Sequence, residues 1–130
     1  MATQVIARSH RFHPYRPGGG TAAGVSEKDY AVLATDTRMA ALGAYAISSR
    51  VVPRAIQLTS KCVLACTGMQ ADFCNLFKVL KNRVEVYKQD HGREMHIGSI
   101  AQMLSIILYQ KRFFPYFAET VLAGVDQDGM

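Results

Sequence analysis

The chain has 130 residues, enough for one domain and too few for two comfortable ones. Its apolar fraction of 49% predicts a packed core and excludes wholesale disorder, and no apolar run reaches the roughly 20 residues that span a bilayer. The net charge of +5 is uneven. Arg8, Arg11 and Arg16 stand near the N-terminus with no acid among them, whereas Lys78, Lys81, Arg83 and Lys88 are interleaved with acids, which suits a solvated helix face better than a nucleic-acid footprint.

Residues 1–20 read as an irregular extension ending in Gly18, Gly19 and Gly20. An acid-poor, arginine-bearing start also fits a mitochondrial transit peptide, but Pro14, Tyr15 and Pro17 spoil an amphipathic helix. The preferred reading is a short arm that packs on a neighbouring chain. Two small, apolar runs follow, Thr21 to Ser26 and Tyr30 to Thr35, across the polar turn Glu27-Lys28-Asp29. They predict a β-hairpin. Ile56 to Leu58 and Cys62 to Thr67, joined by Thr59-Ser60-Lys61, predict a second pair. Little strict alternation in these four runs suits strands buried on both faces.

After Gly68 the period changes. Phe73, Leu76, Phe77, Leu80, Val84 and Tyr87 recur at helical spacing, with Thr67 as a candidate N-cap and His91-Gly92 as the stop. Ile97, Ile100, Ala101, Leu104, Ile107 and Leu108 predict a second helix ending near Arg112. Phe117 to Val125 returns to strand character and closes in the turn signal Asp126-Gln127-Asp128-Gly129. The predicted order is four strands, two helices, one strand. A final strand that turns and then stops suggests a fragment, or an edge covered by another chain.

Several chemical signals are weak. Cys62, Cys66 and Cys74 do not have zinc-pair spacing; the odd count, with no secretory-type apolar segment, points to buried free thiols in a reducing compartment. His91, Glu94 and His96 lack the i, i+4 histidines of a zinc helix and read as a solvated loop between helices. Asp126-Gln127-Asp128-Gly129 is explained by turn chemistry without a calcium ion. Gly18 to Gly20 is not followed by the Lys of a phosphate loop, and there is no G-x-S-x-G elbow. No cofactor and no metal are expected.

The informative segment runs from Gly20-Thr21 to Asp36-Thr37-Arg38. A Gly-Thr junction opening the first strand, with Asp-Thr-Arg closing the second, resembles proteasome beta subunits. Cys66-Thr67-Gly68 with Asp72 resembles the family's glycine turn before its first helix. Ser105 to Tyr116, ending in Phe113-Phe114-Pro115-Tyr116, resembles the branch that holds the beta-six position of the 20S core particle. Ala123-Gly124-Val125-Asp126, with Gly129, resembles the family's strand end. The likeness covers residues 12–130.

The resemblance implies an α+β, N-terminal-nucleophile hydrolase fold: two β-sheets sandwiched between helix layers, here truncated after two helices and the following strand. Residues 1–20 would be an uncleaved, propeptide-like extension and residues 21–130 a partial beta-subunit domain. Active members use a threonine freed at a Gly-Thr bond, supported by a lysine and aspartates, one of them at the position of Asp36. Counting sixteen residues back from Asp36 places Gly20, not Thr21, at the nucleophile position. A one-residue slip in a strand turns a side chain to the other face. The lysine position falls on Arg54, reached across an insertion between Arg38 and Pro53, and arginine stays protonated.

The implied role is therefore a non-catalytic ring subunit in ATP- and ubiquitin-dependent protein degradation, in the cytoplasm and nucleus. Its partners would be beta-five and beta-seven neighbours in a seven-membered ring, the alpha ring and the opposite beta ring, with no nucleic acid and no membrane. Asp126 would line the specificity pocket of the adjacent chymotrypsin-like site, against the plain alternative of a turn residue. Two rival functions are an active threonine peptidase with Thr21 as nucleophile, and a basic nucleic-acid-binding module using the N-terminal arm with Phe12 and Tyr15.

Overall fold

The structure, a computed structural model, describes residues 18–40 and 46–126. Most of the expected N-terminal extension, with Arg8, Arg11, Phe12, Tyr15 and Arg16, lies outside the described residues, as does the end of the turn that Asp126 begins.

The first hairpin forms as expected. Strand β1 (Ala22–Ser26) pairs antiparallel with β2 (Ala31–Thr35), with Ala22 opposite Thr35 and Ser26 opposite Ala31. The Glu27 amide closes the turn on the Tyr30 carbonyl at 2.9 Å. A short pair then appears that the sequence reading does not contain: β3 (Met39–Ala40) with β4 (Ile47–Ser49), antiparallel with a register shift. Elements of two and three residues are too short to show a period. Strands β5 (Ala55–Thr59) and β6 (Cys62–Gly68) form the second expected pair, and β7 (Ala118–Gly124) adds to β6, giving the order β5-β6-β7. Among the described residues the observed order is thus six strands, two helices, one strand.

Helix α1 spans Gln70–His91 and helix α2 spans Ile97–Gln110. Helix α1 stops where expected: the Gly92 amide caps the Lys88 carbonyl. Its start does not match the expectation. The N-cap is Met69, and Thr67 remains in β6, its hydroxyl 3.3 Å from a Glu119 carboxylate oxygen. The reason is that pairing with β7 carries β6 through Gly68, and the Met69 amide still donates to the Phe117 carbonyl. Gly68 has φ +106°, and a Cβ there would overlap the Phe117 carbonyl oxygen, so only glycine lets the two chains meet before the helix begins. Asp72 secures the same junction, accepting from the Phe117 amide at 2.8 Å.

The strand β6 is the middle of the molecule. Cys62, Leu64 and Cys66 face the helices and join Phe73, Leu76, Phe77, Leu80, Val84, Ile100, Leu104 and Ile107 in one core. The β1–β2 hairpin lies against the other face, where Gly24 meets Val121. Among the described residues the helices cover one face only. The expectation of double-sided burial holds for β6 but not for β1 and β2, most of whose residues are exposed. The physical reason is that the hairpin has one covered face: Val25 and Val32 point away from β6 and β7 and stay 68% and 57% exposed. No helix of the described residues is long and apolar enough to cross a membrane.

The cysteines are free, with Cys62 and Cys66 buried and Cys74 half-buried. Burial pushes the Cys62 thiol up to about 11 and the Cys66 thiol up to about 12, the latter with a smaller push from Cys74. Both are packing groups at neutral pH rather than thiolate nucleophiles.

A further apolar group is exposed at the end of α2, where Phe113 is 87% and Phe114 64% accessible. Exposed apolar groups of this size, together with the hairpin valines, drive association. The isolated chain is expected to self-associate in sedimentation velocity; a monodisperse monomer with a cooperative thermal transition would show these surfaces need no partner.

Candidate functional site

The hairpin register brings the two ends of the informative segment together. With Ala22 opposite Thr35, Thr21 must stand opposite Asp36, and the bonds agree. The Asp36 amide donates to the Thr21 carbonyl at 3.2 Å, and the Thr21 amide donates to Asp36 Oδ1 at 2.9 Å. It is the backbone of Thr21, not its hydroxyl, that Asp36 receives.

Arg54 arrives from the other direction, immediately before β5, its carbonyl accepting from the Cys66 amide at 2.8 Å. Its side chain is 1% exposed. The guanidinium Nε stands 3.3 Å from Asp36 Oδ1, and Nη2 donates to the carbonyl oxygens of Arg38 at 3.0 Å and Gly18 at 3.5 Å. Its Cζ lies 5.7 Å from the centre of the Phe73 ring on α1. The carboxylate, the carbonyls and the aromatic face offset part of the cost of burying this cation, while Nε and Nη1 have no hydrogen-bond partner among the described residues.

Gly20 completes the cluster. A Cβ at this position would stand 2.8 Å from both Cζ and Nη1 of Arg54. Gly20 also has φ +128°, which L side chains rarely adopt. Gly18 is buried against the Gly68 carbonyl, to which its amide donates at 3.2 Å. The glycine run therefore threads past Arg54 at a separation that a side chain at position 20 could share only if the guanidinium shifted.

The structure thus brings Gly20, Asp36 and Arg54 into one cluster. Chemically the cluster offers a fixed cation and a carboxylate. It has no hydroxyl or thiol at position 20, and a guanidinium cannot release a proton to act as a base near neutral pH. Asp126 is not part of it. The Arg54 cluster sits at the Cys66–Gly68 end of β6, whereas Asp126 follows β7 at the Cys62 end, where the Val125 amide donates to the Lys61 carbonyl. The length of β6 separates the two by about 20 Å.

The Asp126 end holds contacts that sequence spacing did not reveal. His96 Nδ1 lies 2.8 Å from Asp126 Oδ1. Glu94 Oε2 accepts from the amide and the hydroxyl of Ser60 at 3.0 and 2.6 Å, and Lys88 Nζ is 3.6 Å from Oε1. These donors, Ser60 first, hold the Glu94 carboxyl below the usual carboxylate range. His91 is elsewhere engaged, stacked on Tyr87 at 4.1 Å. Among the described residues no group of three or more His, Cys, Asp or Glu could hold a metal ion. Glu94 does lie between the helices, as expected, but His91 is the last residue of α1, because the helix runs on to its Gly92 cap, and His96, the N-cap of α2, is half-buried and paired rather than simply solvated.

Arg54→Ala is expected to destabilise the fold by about 2 kcal/mol, less than for a fully buried ion pair because Asp36 is partly exposed. Gly20→Ala should cost on the order of 1–3 kcal/mol through backbone strain, and Arg54→Ala should relieve the side-chain part of that cost. Chemical denaturation of the double-mutant cycle in the assembled context measures both; additive effects would mean that Gly20 and Arg54 do not share space.

Comparison with known proteins agrees with this arrangement of strands, glycine turn and helices. Residues 17–130 match the family described as "Proteasome subunit". The chain is 50% identical over 119 residues to "Proteasome subunit beta type-1" of Dictyostelium discoideum, covering 92% of this chain and 50% of that protein. It is 41% identical over 120 residues to the protein of that name from Danio rerio, again covering 92% and 50%, and 44% identical over 116 residues to that from Petunia hybrida, covering 89% and 51%. The chain spans about half the length of these curated relatives. On a match that takes in every element from β1 to β7, this chain belongs to the proteasome subunit family, among its beta subunits.

Proposed function

We propose that the chain serves as a non-catalytic beta subunit of the 20S proteasome core, acting in ring assembly and in shaping a neighbour's site. One observation carries the non-catalytic part: the Arg54 guanidinium occupies the space beside Gly20 into which a nucleophilic side chain would have to project. A threonine-type mechanism needs a hydroxyl there and a tunable amine nearby. Gly20 supplies no side chain, the Arg54 guanidinium crowds the space beside it, and an arginine stays charged. Thr21 is offset by one residue and meets Asp36 through its amide.

The proposed partners are beta-five and beta-seven subunits in a seven-membered ring, an alpha ring and the opposite beta ring, within a particle of the cytoplasm and nucleus that degrades ubiquitin-marked proteins. The exposed valines of β1 and β2 and the Phe113-Phe114 tip are surfaces suited to such assembly. Asp126 is proposed to border the substrate channel of the adjacent chymotrypsin-like subunit. Asp126 lines a groove of about 140 Å³ together with Ser60, Lys61, Glu94 and His96.

Two outcomes test these roles. In purified particles the subunit should retain the Gly20-Thr21 bond, so intact mass and N-terminal sequencing should find no chain beginning at Thr21; a chain that starts there would make it an active peptidase. Asp126→Ala should change chymotrypsin-like kcat/KM several-fold, because a charge-assisted hydrogen bond is worth about 1.5–3 kcal/mol when buried and less at a rim. Trypsin-like and caspase-like activities should stay level. Unchanged kinetics on substrates that differ at the third residue before the cut would leave Asp126 a turn residue.

A further inference from the structure

The corner that carries Asp126 is more constrained than a turn requires. Three segments meet there: the β5–β6 turn, the link between the helices, and the end of β7. Glu94 ties the link to the turn through two hydrogen bonds from Ser60. The Val125 amide ties β7 to the same turn through the Lys61 carbonyl at 3.1 Å. At Gly124 a Cβ would stand 2.9 Å from Ile97 Cδ1 and 3.1 Å from Cys62 Cα, so the strand end is pressed between the turn and the start of α2.

Into this corner His96 projects at the N-cap of α2. Serine, threonine, aspartate and asparagine are the usual residues there because they bond the helix amides. His96 makes no such bond, and its ring instead reaches Asp126 Oδ1 at 2.8 Å. Its main chain is fixed independently, since its carbonyl accepts from the Ile100 amide at 3.0 Å. An ionised carboxylate only accepts, so the proton of this contact sits on His96 Nδ1. Both side chains remain about one-third exposed, so the pair is reachable from the groove that it lines.

We infer that His96 is a positioning residue for the neighbouring active site: its Nδ1–H holds the Asp126 carboxylate in the orientation that receives a hydrogen-bond donor on the substrate. This rests on the reading of Asp126 as a wall of that pocket. A carboxylate can swing about its Cα–Cβ and Cβ–Cγ bonds, and a donor fixed to one oxygen removes most of that freedom before substrate arrives. A contact made equally to bound substrate and transition state lowers KM and leaves kcat alone. Loss of His96 should therefore weaken recognition of a donor at the third residue before the cut, without slowing the chemical step.

The experiment uses assembled 20S particles containing the full-length subunit, and fluorogenic chymotrypsin-like peptides that carry either a hydrogen-bond donor or an apolar side chain at that third residue. Asp126→Ala should raise KM for the donor peptide about fivefold with kcat unchanged, and His96→Ala about two- to threefold, while apolar peptides respond to neither. The double variant should match Asp126→Ala alone, because His96 acts through Asp126. His96→Asn, whose side-chain amide can place a donor near Nδ1, should restore most of the loss. Should His96→Ala particles fail to assemble, His96→Phe keeps a ring while removing the donor and provides the same contrast. An Asp126→Ala effect with wild-type kinetics in the His96 variant, or with additive effects in the double variant, overturns the role of His96 and leaves the pocket reading standing. No effect of Asp126→Ala overturns the pocket reading, and the role of His96 with it.

Discussion

A buried guanidinium is the constraint around which one end of this molecule is arranged. Arg54 is 1% exposed, and removing an arginine's charge from water is unfavourable unless carboxylates, carbonyls and aromatic faces replace the solvent. Each replacement comes from a different part of the chain: Asp36 from the end of β2, the Gly18 and Arg38 carbonyls from the segments beside it, and Phe73 from the first helix. The requirement ties the hairpin to the central sheet and the sheet to α1. It also explains why the chain at Gly20 is bare, since the guanidinium already fills the space a side chain would use.

The same packing connects structure to function. A threonine-type mechanism needs a nucleophile and an amine whose proton can leave. Here a permanent cation is locked in place by contacts that also hold the fold together. A side chain at Gly20 would meet the Arg54 guanidinium at 2.8 Å, so the two could coexist only if that guanidinium moved. The proposed non-catalytic role and the rigidity of this corner rest on the same contacts of Arg54.

At the opposite end of β6 the organisation is polar and partly exposed. The Glu94–Ser60 hydrogen bonds, the Val125–Lys61 bond and the His96–Asp126 contact draw three loops into one corner. None of these pairs is close in sequence, and one of the contacts is between main-chain groups alone. Strand β6 sets the distance between this corner and the Arg54 cluster, so one strand separates a partly exposed polar corner from a buried cation. Proteins often place binding groups on loops held by a rigid scaffold in this way.

The sequence by itself determined the elements with a clear period and the residues that mark their ends. Helical recurrence from Phe73 to Tyr87 and from Ile97 to Leu108 identified both helices, and Gly92 marked a stop that the structure keeps. The first hairpin was also legible, because two short apolar runs across a polar turn predict paired strands with a definite register. Tertiary structure alone decided the rest. Thr67 had the chemistry of an N-cap, yet pairing of β6 with β7 kept it in a strand and moved the cap to Met69. The β3–β4 pair was too short to carry a period. Burial of β1 and β2 was overestimated because apolar composition does not tell how many faces of a strand are covered. His96 read as a loop residue because its partner Asp126 lies thirty positions away. Periodicity reports which face a residue occupies within its own element; only the packing of elements against one another determines which distant side chains come within hydrogen-bonding reach.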